Sequence, residues 1–182
     1  MRIIAGTARS LPLKTPAGLD TRPTTDRIKE TLFNMIQRDL PGSYFLDLFA
    51  GSGQIGLEAV SRGAEYAVFV ENSKKAAACI EDNICFTKFQ DRCRLLAMDV
   101  TAALRSMEGK YRFDYVFLDP PYQSELEKEA LLCIPPLLKE DATIIIEASL
   151  GNDFSYLKEI GYKTKKEKTY KTNRHLFLEK IH

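Results

Sequence analysis

The sequence predicts an α/β fold in which a mostly parallel sheet is covered by helices on both faces. Five short apolar segments alternate with helical patterns between residues 44 and 146. Near-continuous apolar strands that are each followed by a helix are typical of such a sheet. With 182 residues, of which 45% are hydrophobic and 28% charged, the chain fits one globular domain.

The predicted elements follow in chain order. Residues 1–23 are interrupted by Pro12, Pro16, Gly18 and Pro23, which indicates an extended, turn-rich segment. Thr24 or Thr25 can cap a helix whose apolar residues recur at helical spacing as far as Leu40. We then expect strands at 44–48, 67–70, 92–97, 113–118 and 143–146, and helices near 54–62, 73–88, 100–107 and after a capping box at Ser124 and Glu127.

Charge is distributed unevenly, although the chain as a whole carries only +1. Residues 1–42 carry +3, residues 43–157 carry −7 and residues 158–182 carry +5. The last segment is expected to form an antiparallel hairpin of strands 162–168 and 174–180. Basic ends suit contact with phosphate backbones, but lysines on edge strands also prevent aggregation, and both interpretations stay open here.

Several classes of protein are excluded or disfavoured. No apolar run approaches the ~18 residues of a membrane span, and the N-terminus has too short an apolar stretch for a secretory signal, so we expect a cytoplasmic protein. The four cysteines form no close pair of the kind that zinc or redox sites use, and there are only two histidines. We therefore expect no metal.

The densest motif is a glycine-rich turn after the first strand. Gly51, Gly53 and Gly56 form G-x-G-x-x-G, and Glu71 ends the second strand 20 residues after Gly51, the spacing of an acid that binds ribose hydroxyls. Asp47 precedes the glycines and would repel a pyrophosphate, whereas it suits a cationic ligand. S-adenosylmethionine therefore fits better than a nicotinamide dinucleotide, although an NAD-dependent oxidoreductase remains an alternative.

A second motif, Asp119-Pro120-Pro121-Tyr122, follows the fourth strand. The two prolines end the strand and hold carbonyl oxygens in fixed positions. Asp119 and the Pro120 carbonyl could accept hydrogen bonds from both N–H groups of an exocyclic amine, while Tyr122 stacks on the base. The motif predicts methylation of a nucleobase amine, and it leaves guanine N2 and adenine N6 open.

These motifs, together with Arg2–Gly6, Thr21–Arg27 and Glu30–Asn34, resemble the RsmD family of bacterial 16S rRNA guanine-N2 methyltransferases. The resemblance implies a Rossmann-like class I methyltransferase fold, doubly wound and seven-stranded in the order 3-2-1-4-5-7-6, with S-adenosylmethionine as cofactor. It implies methylation of one guanine, guanine 966, of 16S rRNA during assembly of the small subunit, with the subunit or an assembly intermediate as substrate. We expect a monomer. Residues 1–182 would form a single domain, with 1–42 as an RNA-facing extension and helix and 43–182 as the catalytic core.

The resemblance also implies roles for individual residues. Glu71 would hold the ribose, and Asp99 would meet the adenine amine, although Asp99 could instead cap the helix after it. The implied cofactor residues are Asp47, Phe49, Gly51, Gly53, Glu71, Asn72, Asp99 and Val100. The implied catalytic residues are Asp119, Pro120, Pro121 and Tyr122, and the implied RNA-binding residues are Arg2, Arg9, Arg22, Thr24 and Arg27.

The chain departs from the family at one point, because Ala8-Arg9-Ser10 replaces an Arg-Gly-Arg-like stretch. Besides the NAD-dependent oxidoreductase, two further alternatives stay open on the residues alone. One is an adenine-N6 methyltransferase that acts on DNA or RNA, and the other is a non-catalytic RNA-binding protein.

Overall fold

A computed structural model describes residues 1–16, 18, 25–121 and 125–181 of the chain. The strands are β1 (Tyr44–Leu48), β2 (Tyr66–Val70), β3 (Cys93–Leu96), β4 (Phe113–Leu118), β5 (Leu138–Ser149), β6 (Tyr162–Thr169) and β7 (Asn173–Lys180). The helices are α1 (Asp26–Ile36), α2 (Gln54–Ser61), α3 (Lys74–Thr87), α4 (Val100–Met107) and α5 (Leu126–Cys133).

The seven strands of the described residues form one sheet in the order β3-β2-β1-β4-β5-β7-β6. Strands β1 to β5 pair in parallel, and β7 is antiparallel to both β5 and β6. The predicted strand order and the predicted C-terminal hairpin are therefore confirmed.

Helices cover both faces of the sheet, as the apolar strands predicted. One hydrophobic cluster joins residues of α1, α2 and α3 to the sheet, and a second joins residues of α4 and α5 to the opposite face. No helix among the described segments is long and apolar enough to cross a bilayer.

Most predicted boundaries lie within one residue of the observed ones, whereas α1, β5 and α5 differ in ways that the sequence pattern did not show. Thr25 caps α1 by accepting a hydrogen bond from the Ile28 N–H, but the helix ends at Ile36 rather than near Leu40. Leu40 is nevertheless fully buried. The apolar spacing therefore marked a buried residue that lies beyond the end of the helix. Strand β5 is longer than predicted because polar residues at its start and end hid its length.

The third difference concerns the start of α5. Glu125 occupies the N-cap position and makes no side-chain capping hydrogen bond. Ser124, the predicted capping residue, lies outside the described residues.

The N-terminal segment is held against α2 by Glu58. The carboxylate of Glu58 accepts hydrogen bonds from the backbone N–H groups of Ile4 at 2.8 Å and Ala5 at 3.0 Å. The Gly6 backbone passes so close to α2 that an added Cβ would lie 1.8 Å from the Ser61 carbonyl oxygen. The first residues of the chain are thus packed against the helix that follows the glycine-rich turn.

Candidate active site

Four neighbouring parallel strands each carry an acidic residue at or near the carboxyl end. Each acid stands two positions after a buried residue of the hydrophobic cluster that joins α1, α2 and α3 to the sheet. The pairs are Phe69 and Glu71 at β2, Phe45 and Asp47 on β1, Phe117 and Asp119 at β4, and Ile145 and Glu147 on β5. Side chains two positions apart on a strand point to the same face. The four carboxylates, called the acid row below, therefore share one face of the sheet near its carboxyl edge. Asp47 lies two positions further from that edge than Glu71 and Asp119, because it pairs with Phe69 and Phe117.

The pairing of β4 with β5 places two members of the acid row side by side. Leu118 pairs with Ile146, so Asp119 and Glu147 follow at the same level on adjacent strands. Strands of a sheet are about 4.8 Å apart, which brings the two carboxyl groups into one recess. The structure thus joins the predicted Asp119 to an acid that sequence reasoning did not select.

The electrostatics of the acid row favour a positively charged ligand. Burial raises the pKa of Asp47 well above its ordinary value, the charges of Asp119 and Glu71 add to this, and the hydrogen bond from the Gly56 N–H at 2.9 Å opposes it. Burial also raises the pKa of Asp119 to about 7, with a contribution from the charge of Glu147. Part of the Asp119 surface remains exposed at the mouth of the recess, where solvent screens its charge.

The glycine-rich turn presents backbone to open space. Gly51 has a φ of +59°, and a Cβ added there would meet no heavy atom within 4 Å. Gly53 has a φ of +77° and is the N-cap of α2, and Phe49 also has a positive φ of 61°. The Asn83 amide donates to the Ser52 carbonyl at 2.9 Å and braces the turn from α3. Close approach of a ligand to this backbone is therefore possible.

Glu71 contacts this turn directly. One carboxylate oxygen accepts a hydrogen bond from the Gly51 N–H at 2.8 Å, and the other accepts from the Ser73 N–H at 2.9 Å. A carboxylate can accept further hydrogen bonds, so these contacts are compatible with ribose hydroxyls as additional donors. Asn72, the next residue, is exposed at the same edge.

Asp99 and Val100 lie where β3 leads into α4. One oxygen of Asp99 accepts a hydrogen bond from the Ala102 N–H at 2.9 Å, so the capping role that the sequence left open is present. The Asp99 side chain is exposed, and Val100 packs partly against the core. The contact of Asp99 with an adenine amine stays a prediction.

The recess beside the acid row is the candidate pocket for the methyl acceptor. It encloses about 380 Å³, with open solvent at its mouth included. Asp119, Pro120, Pro121 and Glu147 line it, together with Phe154. Tyr122, predicted to stack on the base, lies outside the described residues.

Glu147 is anchored in this recess by β7. Its carboxylate accepts a hydrogen bond from the Asn173 amide at 2.9 Å, and its other oxygen lies 3.1 Å from Nε2 of His175. His175 is fully buried, and its Nδ1 lies 3.1 Å from the Tyr170 hydroxyl. Sequence reasoning missed these residues, although the pattern of an apolar residue two positions before an acid is the same at Glu147 as at Asp119.

A basic groove lies between α1 and the turn of the β6–β7 hairpin. Arg27, Lys168 and Lys171 line it together with Tyr170, and its volume is about 940 Å³ when open solvent is included, as for the recess. Since the Tyr170 hydroxyl contacts His175, the groove and the recess are linked through two side chains. Arg27, one of the predicted RNA-binding residues, thus lines the same groove as Lys168 and Lys171 of the hairpin.

The other predicted RNA-binding residues are placed differently. Arg2 is exposed and forms an ion pair of 2.9 Å with Asp26, while Arg9 is exposed in the N-terminal segment. Arg22 and Thr24 lie outside the described residues. Within the part of the chain that the structure describes, no group of three or more His, Cys, Asp or Glu side chains has the geometry of a metal site.

Comparison with known proteins gives consistent matches along the whole chain. A protein-family model described as conserved hypothetical protein 95 matches residues 1–178. Ribosomal RNA small subunit methyltransferase D of Haemophilus influenzae is 40% identical over 152 residues, which cover 81% of this chain and 78% of that protein. The Escherichia coli protein of the same name is 32% identical over 154 residues, which cover 84% of this chain and 76% of that protein.

A solved structure shows the same architecture. The yhhF protein of Escherichia coli superimposes with a TM-score of 0.84 at 28% sequence identity, and the match covers 100% of this chain and 98% of that chain. The agreement therefore includes the N-terminal segment and the terminal hairpin as well as the central strands.

Proposed function

Because the chain belongs to the RsmD family, we propose that it transfers a methyl group from S-adenosylmethionine to the exocyclic N2 amine of a guanine in small-subunit rRNA. The coarser activity, S-adenosylmethionine-dependent methylation of ribosomal RNA, follows from membership in the family. The N2 amine, and guanine 966 as its position, are the finer part of the proposal and rest on family resemblance.

The acid row is the observation that carries the proposal. Its members Glu71 and Asp47 adjoin the glycine-rich turn, and its members Asp119 and Glu147 line the recess. A cofactor with a positive sulfonium and a base with an amine donor could thus lie side by side on one series of carboxylates. We assign Gly51 and Gly53 to the methionine part of the cofactor.

The remaining cofactor residues are assigned by position. Glu71 would hold the ribose hydroxyls, and Asp47 favours the positive charge of the ligand because it is buried beside other acids. Phe49, Asn72, Asp99 and Val100 would complete the site from the ends of β1, β2 and β3. The open space next to Gly51 and the acidic edge are the two observations that fit this cofactor.

S-adenosylmethionine, when bound, supplies a methyl group that is already activated by the positive sulfur. The work of this chain is therefore alignment and electrostatic stabilisation. Asp119 and the Pro120 carbonyl accept hydrogen bonds from the two N–H groups of the amine. These hydrogen bonds direct the nitrogen lone pair away from the ring. Because the pKa of Asp119 is raised to about 7, its carboxylate or water can take the proton that the nitrogen loses.

We assign the RNA contact to the N-terminal extension, residues 1–42, and the terminal hairpin. Support comes from the basic groove, which is lined by Arg27 of α1 and by Lys168 and Lys171 of the hairpin. Cationic side chains that neutralise phosphates provide the sequence-independent part of binding. Arg22 and Thr24 belong to the same proposal, and the single-domain organisation, cytoplasmic location and monomeric state stay predictions.

Nucleoside mass spectrometry of ribosomal RNA from a deletion strain tests the proposal. We expect one N2-methylguanosine to disappear, and to return with the wild-type gene but not with Asp119→Ala. Unchanged N2-methylguanosine would refute the proposal, and loss of N6-methyladenosine would favour the adenine alternative. Calorimetric binding of S-adenosylhomocysteine but not NADH would exclude the oxidoreductase.

A further inference from the structure

We propose that Glu147 selects guanine by accepting a hydrogen bond from the N1–H of the target base. The inference rests on the proposed function and adds a specificity-determining residue to it. Guanine presents N1–H and its 2-amino group side by side on one edge. Adenine presents an unprotonated N1 beside its amine, and a carboxylate would repel that lone pair.

The position of Glu147 beside Asp119 supports this role. Asp119 and Glu147 follow the paired residues Leu118 and Ile146 on adjacent parallel strands, and both line the recess. If Asp119 and the Pro120 carbonyl accept the amine N–H groups, the neighbouring acceptor on β5 faces the next atom of the base edge. A flipped base is commonly read by hydrogen bonds to this edge.

The hydrogen bonds that orient the Glu147 carboxylate also support this role. Asn173 donates to one oxygen of Glu147 at 2.9 Å, and Nε2 of the buried His175 lies 3.1 Å from the other. With an ionised Glu147, Nε2 carries the hydrogen and donates it, so Nδ1 accepts from the Tyr170 hydroxyl at 3.1 Å. The side chain of Glu147 is only 13% exposed, so it is held as an oriented acceptor rather than a mobile surface acid.

These contacts are compatible with a further donor. A carboxylate offers about four acceptor positions on its two oxygens, so it can accept hydrogen bonds from several donors at once. With an ionised Glu147, the hydrogen bonds from Tyr170 to His175 and from His175 to Glu147 both point toward the carboxylate. They therefore keep Glu147 suited to a base that presents a hydrogen, as guanine N1 does.

The test changes the edge of the substrate base that Glu147 is proposed to contact. Small-subunit RNA is prepared with either guanine or 2-aminopurine at the target position, since 2-aminopurine keeps the 2-amino group but lacks the N1 hydrogen and the 6-oxygen of guanine. Glu147→Gln separates the two differences, because only the N1 hydrogen is assigned to Glu147. For the wild-type protein we expect kcat/KM to be on the order of 10- to 100-fold lower on 2-aminopurine. Glu147→Gln, whose amide can donate to N1, is expected to lose most of this preference.

A second readout does not depend on catalysis. With S-adenosylhomocysteine present, the wild-type protein is expected to bind the guanine RNA more tightly than the 2-aminopurine RNA, and Glu147→Gln to bind both about equally. Glu129→Gln is the matched control, because Glu129 is an exposed carboxylate of α5 that does not line the recess. It is expected to keep the wild-type preference.

Asn173→Ala gives an independent route, since it loosens Glu147 without changing its charge. We expect it to reduce the preference less than Glu147→Gln does, and to leave affinity for S-adenosylhomocysteine unchanged. A wild-type preference in both variants would overturn the inference, even if the wild-type protein methylates guanine. Failure of the wild-type protein to methylate the guanine RNA would instead count against the proposed function.

Discussion

The carboxylate of Glu71 accepts a hydrogen bond from the Gly51 N–H at 2.8 Å and thereby ties the end of β2 to the turn after β1. Its other oxygen accepts from the Ser73 N–H at 2.9 Å, next to the start of α3. The acid proposed to bind ribose is thus oriented by two backbone donors before a ligand arrives. An oriented carboxylate loses less freedom when it binds, which favours affinity.

Glu71→Gln is expected to weaken binding of S-adenosylhomocysteine about 10-fold or more, because hydrogen bonds to charged groups contribute about 1.5–3 kcal/mol. The amide also replaces one acceptor oxygen with a donor, so it cannot keep both backbone contacts. Isothermal titration calorimetry measures the change. Glu65→Gln, an exposed acid just before β2, serves as the control with unchanged affinity, and equal affinities for the two variants would contradict the assignment.

Gly51→Ala and Gly42→Ala form a matched pair. Both glycines have positive φ values, +59° and +77°, and an added Cβ meets nothing within 4 Å at either position. Each substitution is expected to cost about 1 kcal/mol of folding free energy, measured by denaturant unfolding, because alanine disfavours this conformation. Only Gly51→Ala should also weaken S-adenosylhomocysteine binding, since its methyl group occupies the proposed cofactor space. Unchanged S-adenosylhomocysteine binding by Gly51→Ala would mean that the cofactor does not lie against this turn.

Asp119→Asn is expected to raise the melting temperature at pH 8 more than at pH 5. The folded protein holds a proton on Asp119 up to a pKa of about 7, whereas the unfolded chain releases it near 3.8. Since the native state binds more protons between these values, wild-type stability falls as the pH rises through that window, and asparagine removes this fall. The gain is limited because part of Asp119 faces solvent.

Differential scanning fluorimetry across this pH range measures the effect. Asp141→Asn changes an exposed carboxyl near the start of β5 and is expected to show no widening difference from wild type. A difference between Asp119→Asn and wild type that stays constant with pH would show that Asp119 does not titrate near neutrality.

Much of the fold could be predicted because every central strand carries its own apolar signal. The end of α1 could not, because Leu40 is buried outside the helix that its spacing indicated. Glu147 was missed for a different reason, since no motif surrounds it and its position beside Asp119 becomes visible only when β5 is paired with β4. His175 similarly looks isolated in the sequence, and only the pairing of β7 with β5 brings it to Glu147.

Glu58→Ala is expected to lower the free energy of unfolding by about 3–5 kcal/mol, because it leaves a buried cation without its partner. Glu58 and Lys29 both have fully buried side chains 3.4 Å apart, and burial lowers the pKa of Lys29 while Glu58 opposes this. The variant also removes the acceptors of the Ile4 and Ala5 N–H groups, so the N-terminus should become sensitive to limited proteolysis.

The exposed pair of Lys14 and Asp82, 2.8 Å apart, provides the comparison for Glu58. Asp82→Ala is expected to cost far less stability than Glu58→Ala, because solvent screens ion pairs on the surface. Similar losses in the two variants, measured by denaturant unfolding, would mean that Glu58 does not anchor the N-terminal segment.

Replacement of Lys168 and Lys171 by alanine is expected to weaken binding to small-subunit RNA. Both lysines line the basic groove opposite Arg27, where they can neutralise phosphates. The slope of log affinity against log salt should fall by about 1 for each phosphate contact that is lost. S-adenosylhomocysteine affinity should stay at the wild-type value, because the groove is not part of the proposed cofactor site.

The same hairpin contains the control for this prediction. Lys163 and Lys165 lie 3.0 Å and 3.7 Å from Glu179, and their replacement by alanine removes the same formal charge away from the groove. If the groove binds RNA, the salt slope should change for Lys168 and Lys171 and stay nearly constant for Lys163 and Lys165. Equal changes in both double variants would mean that the net charge of the hairpin, and not the groove, attracts the RNA.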